Sequence, residues 1–374
     1  MLVLCGRIMS MNRRGVFPIG LLVLLGCSTR PATEPPAVGV AAAIPTQTGA
    51  APVASAAPPS GAPAAAGAAK PNDAERAQQG RAKADADHQT ELSRWTPELH
   101  AAAKRLAETS YPTFDVALKA ALASPHRRPG NAARDKYRHP RETLEFFGLQ
   151  PTSIVLEYGP GAGWYTELLA PVFAKRGKLF VTSDDPNGSA GERSVAGYRL
   201  KLLLETAPEL FAQVEPIAID AKNPKLPLDG KLDAVLVIRE LHNLVNDGSL
   251  DAWLAEFRRA LKPKGILGVV DHRGLSDADP LKSSKLGYVP EAWAIERIEA
   301  AGFKLSEKSE INANPKDTKD YPDGVWTLPP SYRLGEKDRE KYAAIGESDR
   351  FTLRFVKRDA VGPGPSRPTA SPAH

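Results

Sequence analysis

Apolar residues after position 150 come in short runs, and most of the runs end on or just before an acidic residue. The runs fall at 153–157, 178–183, 214–219, 232–238, 266–270, 303–309 and 351–357, and they predict strands one to seven. Between them the apolar spacing changes to three and four, which predicts helices at 164–173, 194–206, 251–261 and 290–301. Arg176-Gly177 closes the first of these helices, and Pro263-Lys264-Gly265 is the exit turn of the third. Pro290 opens the fourth, and Gly302 caps it. Strands alternating with helices predict an α/β fold with a doubly wound parallel sheet. Upstream, helical spacing covers 93–108 and 113–123, and a short helix at 141–148 ends on Gly148.

The two ends read differently. Residues 29–70 are Ala, Pro, Gly, Ser and Thr with almost no aromatics, and 361–374 is similarly Pro-rich. Such segments cannot bury enough apolar surface to offset their ordering entropy, so they are expected to be tethers. Arg13 and Arg14 precede an apolar run at 16–25 that is too short to span a bilayer. Together they look like a signal peptide. Leu24-Leu25-Gly26-Cys27 resembles the lipobox of bacterial lipoproteins, which implies lipidation of Cys27 and a periplasm-facing anchor in the cell envelope. The expected organisation is a signal peptide at 1–27, a tether at 28–90, a helical region at 91–150, an α/β domain at 151–358 and a tail at 359–374. Cys5 and Cys27 are the only cysteines, so the folded part has no thiol for a disulfide, a thiolate metal site or a nucleophile. The net charge of +5 is dispersed among acidic residues with no aromatic-lined basic stripe, which argues against a nucleic-acid partner.

The densest chemistry lies at 154–166, Ile-Val-Leu-Glu-Tyr-Gly-Pro-Gly-Ala-Gly-Trp-Tyr-Thr. A strand ends in Glu157, and Gly159, Gly161 and Gly163 follow at alternate positions before a helix. Glycine there permits positive φ or close approach of a ligand to backbone. The carboxyl end of a strand is where open α/β sheets bind ligands. Trp164 occupies the position where the dinucleotide fingerprint needs a small residue, which disfavours a nicotinamide oxidoreductase. The G-x-G-x-G spacing resembles the first motif of class I S-adenosylmethionine-dependent methyltransferases. The resemblance covers 151–358 and implies a seven-stranded Rossmann-like sheet with S-adenosylmethionine as cofactor. In that family the glycine backbone lies against the cofactor's amino-acid end. Asp184 or Asp185, at the end of strand two, would take the ribose hydroxyls, and Asp220 and Ala221 would lie near the adenine. Trp164 and Tyr165 are candidates for an aromatic wall beside the sulfonium, the alternative being core packing of the following helix, which is favoured for one of the two.

A narrower set of motifs resembles a bacterial group of predicted methyltransferases whose substrate is unsettled. It comprises Arg138-His139-Pro140, the Thr143-to-Gly148 segment TLEFFG, Gly163-Trp164-Tyr165-Thr166, Leu241-His242-Asn243, GVWTLPP from Gly324 and GESDR from Gly346. This implies a cofactor class and leaves the reaction partner open.

The mouth of strand four offers Arg239, Glu240, His242 and Asn243. Glu240 and His242 are the catalytic candidates, with His242 as a base for a protonated acceptor; the plain alternative is a helix-start histidine bonded to backbone. No Asn/Asp-Pro-Pro-Tyr follows strand four, which disfavours an amino-group methylase of nucleobases or glutamine. Asp271, His272 and Arg273 end strand five and, with His242, raise a metal cluster that spacing supports only weakly, so no metal is expected. The insertion at 312–349 is long for a connection and is expected to cover the acceptor pocket, the alternative being a β-hairpin on the sheet edge. Two functional readings remain: methyl transfer from S-adenosylmethionine to a small molecule by a lipid-anchored enzyme, and a non-catalytic envelope protein that keeps the fold for ligand binding or scaffolding. The second gains weight because the cofactor is made in the cytosol.

Overall fold

The computed structural model describes residues 72–188, 192–220 and 223–358. Cys27 and Ala221 lie outside the described residues, as do the expected signal peptide and most of the expected tether. The first described element is a helix, α1 (Asp73–Arg94), where the sequence reading placed tether to residue 90. It begins on a capping box, with Asn72 accepting from the Glu75 amide at 3.0 Å and Glu75 accepting from the Asn72 amide at 2.9 Å. Its sequence is mostly polar, so the helix was not apparent from hydrophobic spacing. No helix among the described residues is long and apolar enough to cross a membrane.

Five further helices precede the sheet: α2 (Pro97–Glu108), α3 (Phe114–Ala123), α4 (Pro129–Ala132), α5 (Asp135–Arg138) and α6 (Pro140–Phe146). The chain then runs β1 (Ile154–Tyr158), α7 (Thr166–Phe173), β2 (Lys178–Ser183), α8 (Glu192–Thr206), α9 (Pro208–Phe211), β3 (Val214–Ala218) and β4 (Leu232–Ile238). It continues through α10 (Leu241–Asn246), α11 (Leu250–Ala260), β5 (Leu261–His272), α12 (Pro280–Ser283), α13 (Glu291–Ala300), β6 (Phe303–Ser309), α14 (Arg339–Ile345) and β7 (Arg350–Lys357). The seven strands form one sheet in the order β3-β2-β1-β4-β5-β7-β6. The first five are parallel, and β7 runs antiparallel between β5 and β6. This is the doubly wound α/β sheet expected from the alternation of elements.

Apolar residues cover both faces. On one face Leu118, Leu144, Leu168 and Leu169 of α3, α6 and α7 pack over Val155 and Leu236. On the other, Trp253, Phe257 and Ile298 of α11 and α13 pack over Leu156, Val235 and Val269. Strands buried on both faces read as continuous apolar runs, which is why their sequence signal is strong. Strand order reverses between β1 and β4, and the carboxyl ends of both point to the same edge. That switch point opens the crevice in which doubly wound sheets bind ligands.

Candidate functional site

Gly159, Gly161 and Gly163 all adopt left-handed backbone, with φ of +62°, +57° and +80°. Their surroundings differ. A Cβ on Gly161 would meet nothing within 4 Å, whereas one on Gly159 would stand 2.4 Å from Glu240 Cγ. A Cβ on Gly163 would stand 2.1 Å from Leu203 Cδ2 of α8. Gly159 and Gly161 line a cleft of about 830 Å³, within the size range of small-molecule sites. Gly163 does not line that cleft; it lets the turn pack against α8.

The cleft wall continues through Asp184, Ile219, Glu240 and Asn243. Asp185 instead accepts from the Asn187 amide at 2.9 Å, so of the two acids at the end of β2 the cleft takes Asp184. Asp220 is exposed and directly follows Ile219. Two parts of the wall were missed from sequence. Gly197 of α8 lies so close to β2 that a Cβ would stand 2.2 Å from the Asp184 carbonyl oxygen. Ala77 and Gly80 of α1 also line the cleft, and Arg81 donates to the carbonyls of Pro186 and Gly188 at 2.5 and 2.8 Å.

Glu157 and Tyr165 lie behind this wall. Glu157 is buried, accepts from the Thr166 hydroxyl at 2.7 Å, and is pushed up to about 7 by burial, which that hydrogen bond only partly offsets. Tyr165 is buried edge-on against Trp164 at 4.6 Å, and burial raises its hydroxyl to about 12. The Trp164 indole donates to the Asn131 carbonyl at 3.0 Å and carries the Arg138 guanidinium 4.6 Å above its ring. The predicted aromatic wall thus faces arginines of the N-terminal helices and does not line the cleft.

At the mouth of β4, Glu240 accepts from Asn243 Nδ2 at 2.9 Å. Burial raises its carboxyl to about 7. His242 begins α10, and its Nδ1 stands 3.0 Å from Asp271 Oδ1. The backbone amides of His242 and His272 donate to the same carboxylate at 2.9 and 2.7 Å. An ionised carboxylate only accepts, so Nδ1 of His242 carries the hydrogen and a neutral ring keeps its lone pair on Nε2. Burial draws His242 down, but Asp271 and Glu240 together hold it above its ordinary value. The insertion brings Trp326 edge-on to the His242 ring, 6.2 Å away, and Trp326 and Arg333 line the cleft. Two residues of this segment thus contribute to the cleft wall, and the segment forms no β-hairpin.

His242, Asp271 and His272 offer atoms within 4.8 Å of one another, so the possible metal cluster does assemble. His272 is held well below its ordinary value by burial, then by Arg239, His242, Arg350 and Arg138, so its ring is neutral. Its Nδ1 is engaged with the Ser348 hydroxyl.

No family model matches the chain, and no curated protein matches it. Among solved structures it is similar to an S-adenosylmethionine-dependent methyltransferase from Aquifex aeolicus, at 19% identity and a TM-score of 0.41, over 65% of this chain and 98% of that one. It is similar to the [4+2]-cyclase SpnF at 20% identity and a TM-score of 0.42, over 59% of this chain and 80% of that one. A third is a putative sarcosine dimethylglycine methyltransferase from Galdieria sulphuraria, at 14% identity and a TM-score of 0.42, over 62% and 88% of the two chains.

Proposed function

We propose that the protein binds S-adenosylmethionine in the cleft and transfers its methyl group to a small-molecule acceptor. The observation that supports this most is the Gly161 position: left-handed backbone, open space where a Cβ would stand, and a place in the cleft wall near Asp184 at the sheet's switch point. In the reaction a lone pair of the acceptor attacks the methyl carbon, the carbon–sulfur bond breaks, and its electrons remain on sulfur. Positioning of acceptor and methyl in line supplies much of the rate. Where the acceptor loses a proton, Nε2 of His242 takes it, and Asp271 steadies the charged ring. Glu240, packed against Gly159, stands on the cofactor side of the same mouth.

Calorimetric titration of the full chain with S-adenosylmethionine and S-adenosylhomocysteine tests the reading. Saturable binding of both supports it, and a folded wild type that binds neither refutes it. Turnover with an acceptor separates an enzyme from a binding protein that keeps the fold. We propose also that the protein acts at the cell envelope through lipid on Cys27, a reading supported by the segment from Arg13 to Cys27. Cys27→Ala should release it from membranes, and unchanged fractionation would count against lipidation.

A further inference from the structure

Four arginines from three distant parts of the chain meet behind His242. Arg134 and Arg138 come from the region of α5, Arg239 ends β4 and Arg350 opens β7. One carboxylate serves the group. Glu347 accepts from Arg134 Nε at 2.6 Å, Arg138 Nε at 3.2 Å and Arg350 Nη1 at 3.0 Å. Glu347, Arg138 and Arg350 are 4%, 4% and 3% exposed. Glu240 is close enough to Arg239 to feel its charge, but burial raises its carboxyl to about 7, so it offsets the surplus only in part. Tyr165 is a buried phenol and His272 is neutral. Asp271 is taken by His242, and Asp349 by Lys319 at 3.1 Å and by Arg273.

Burying guanidinium groups in surplus over their carboxylates is strongly unfavourable. The cost is visible in Arg138, held well below its ordinary range by burial and then by the charge of Arg239. Four donors in the cluster, Arg134 Nη2, Arg138 Nη2, Arg239 Nε and Arg350 Nε, are buried and have no hydrogen-bond partner among the described residues. Arg239 also holds a left-handed φ of +62°, unusual for a side chain of its size. Strain and surplus charge of this kind are retained where a site must receive an oxyanion, which planar guanidinium forks match in shape. The location is adjacent to the chemistry. Arg239 precedes Glu240 of the cleft wall, and the His272 ring lies 5.4 Å from that of His242.

We propose that Arg138, Arg239 and Arg350 form an oxyanion site that holds a carboxylate or phosphate of the methyl acceptor. The acceptor part rests on the methyltransferase reading above; the anion site does not. The test is titration of the full chain, in neutral detergent at low ionic strength, with inorganic phosphate and separately with acetate, alongside S-adenosylhomocysteine. The wild type should bind one or both anions saturably, and the better of the two names the acceptor group. Arg239→Gln, which breaks no side-chain hydrogen bond among the described residues, should weaken that binding by about tenfold or more, the loss expected from one charge-assisted contact. Its melting temperature should not fall below wild type, since a surplus charge is removed, and its affinity for S-adenosylhomocysteine should stay near wild type. A wild type that binds S-adenosylhomocysteine but neither anion overturns the proposal and leaves the cofactor reading standing. Anion binding without any cofactor binding overturns the assignment to an acceptor. Equal loss of anion and cofactor binding in Arg239→Gln refutes a separate site.

Discussion

The two inner glycines of the turn make a sharp test, because the structure gives them different duties. Gly161 and Gly163 both have left-handed φ, so any Cβ costs about 1–2 kcal/mol at either position. At Gly161 that strain is the only cost to the fold, since nothing lies within 4 Å of the added carbon. At Gly163 the Cβ would stand 2.1 Å from Leu203 Cδ2, and Leu203 is buried. Overpacking adds about 1–3 kcal/mol, so Gly163→Ala should destabilise by about 2–5 kcal/mol in total. Ligand binding should show the reverse order. A valine at Gly161 projects into the cleft and should weaken S-adenosylhomocysteine binding by about 1–3 kcal/mol, or about 5- to 150-fold. Gly163→Ala should leave that affinity within about threefold in the fraction that is folded.

The assay pairs thermal melts of Gly161→Ala, Gly161→Val and Gly163→Ala with calorimetric titration below each transition. Gly163→Ala should melt lowest and bind best; Gly161→Val should bind worst. Wild-type affinity in Gly161→Val would mean that the turn does not face the ligand. A stable Gly163→Ala that has lost binding would return Gly163 to the ligand wall.

Three other outcomes follow from the buried titratable groups and the covering segment. Glu157 is held near 7 in the fold against an ordinary value of 4.5, so the native state keeps a proton that the unfolded chain releases, and stability falls as pH rises through that window. Glu157→Gln should melt with wild type at about pH 4 and exceed it at pH 8 by up to about 3 kcal/mol; an equal offset at both pH values would show that burial is not what shifts the group. Asp271→Asn removes the larger of the two charges that raise His242 while leaving the burial that lowers it, so the imidazole should titrate below its wild-type value by NMR. His242 is raised in the wild type, so Asp271→Asn should cost about 3 kcal/mol at acidic pH, and less as pH rises past the wild-type His242 value; a pH-independent loss would assign Asp271 a purely packing role. Trp326 lines the cleft, so S-adenosylhomocysteine should change the tryptophan fluorescence of wild type, and Trp326→Phe should remove most of that change.

The inner strands were legible because they are buried on both faces, and the apolar runs at 178–183 and 232–238 coincide with β2 and β4. The start of β5 was not, because Pro263-Lys264-Gly265 reads as a break; the chain pairs Leu261 with Leu232 and then resumes register across a bulge, with Lys264 at a φ of +59°. Helix α1 was hidden for a different reason. It meets α8 through small and polar contacts, with Gly80 against Val195 and the Tyr198 hydroxyl donating to Asp85, and neither leaves an apolar stripe. The glycine motif named the turn but could not divide its members, since Gly161 and Gly163 share a residue type and a backbone conformation and differ only in what lies beyond them. Similarly, sequence offered Asp184 and Asp185 as equals, and only the Asn187 turn separates them. The arginine cluster was the least legible feature. Arg138 and Glu347 stand 209 positions apart, and nothing local to either tells that they meet.

The charge layout of the site leads to a last prediction. Asp184 and Glu240 line the cleft together with Arg76, Lys83, Arg199 and Arg333, while Arg134, Arg138 and Arg350 gather around Glu347 behind His242. A sulfonium in the cleft and an oxyanion on the arginines would attract one another across the His242–Asp271 pair. The demethylated cofactor is a neutral thioether at the same atom, so that attraction disappears once the methyl has moved. The anion should therefore bind more tightly to protein saturated with S-adenosylmethionine than to protein saturated with S-adenosylhomocysteine. Coupling between two sites typically falls at about 1–3 kcal/mol, which is about 5- to 150-fold in affinity. By reciprocity the anion must strengthen S-adenosylmethionine binding by the same factor. Titrating phosphate or acetate into each complex, and each cofactor into anion-saturated protein, closes the cycle. Equal anion affinity in the two complexes would show that the cluster does not sense the reacting sulfur, and its oxyanion would then not belong to the methyl acceptor.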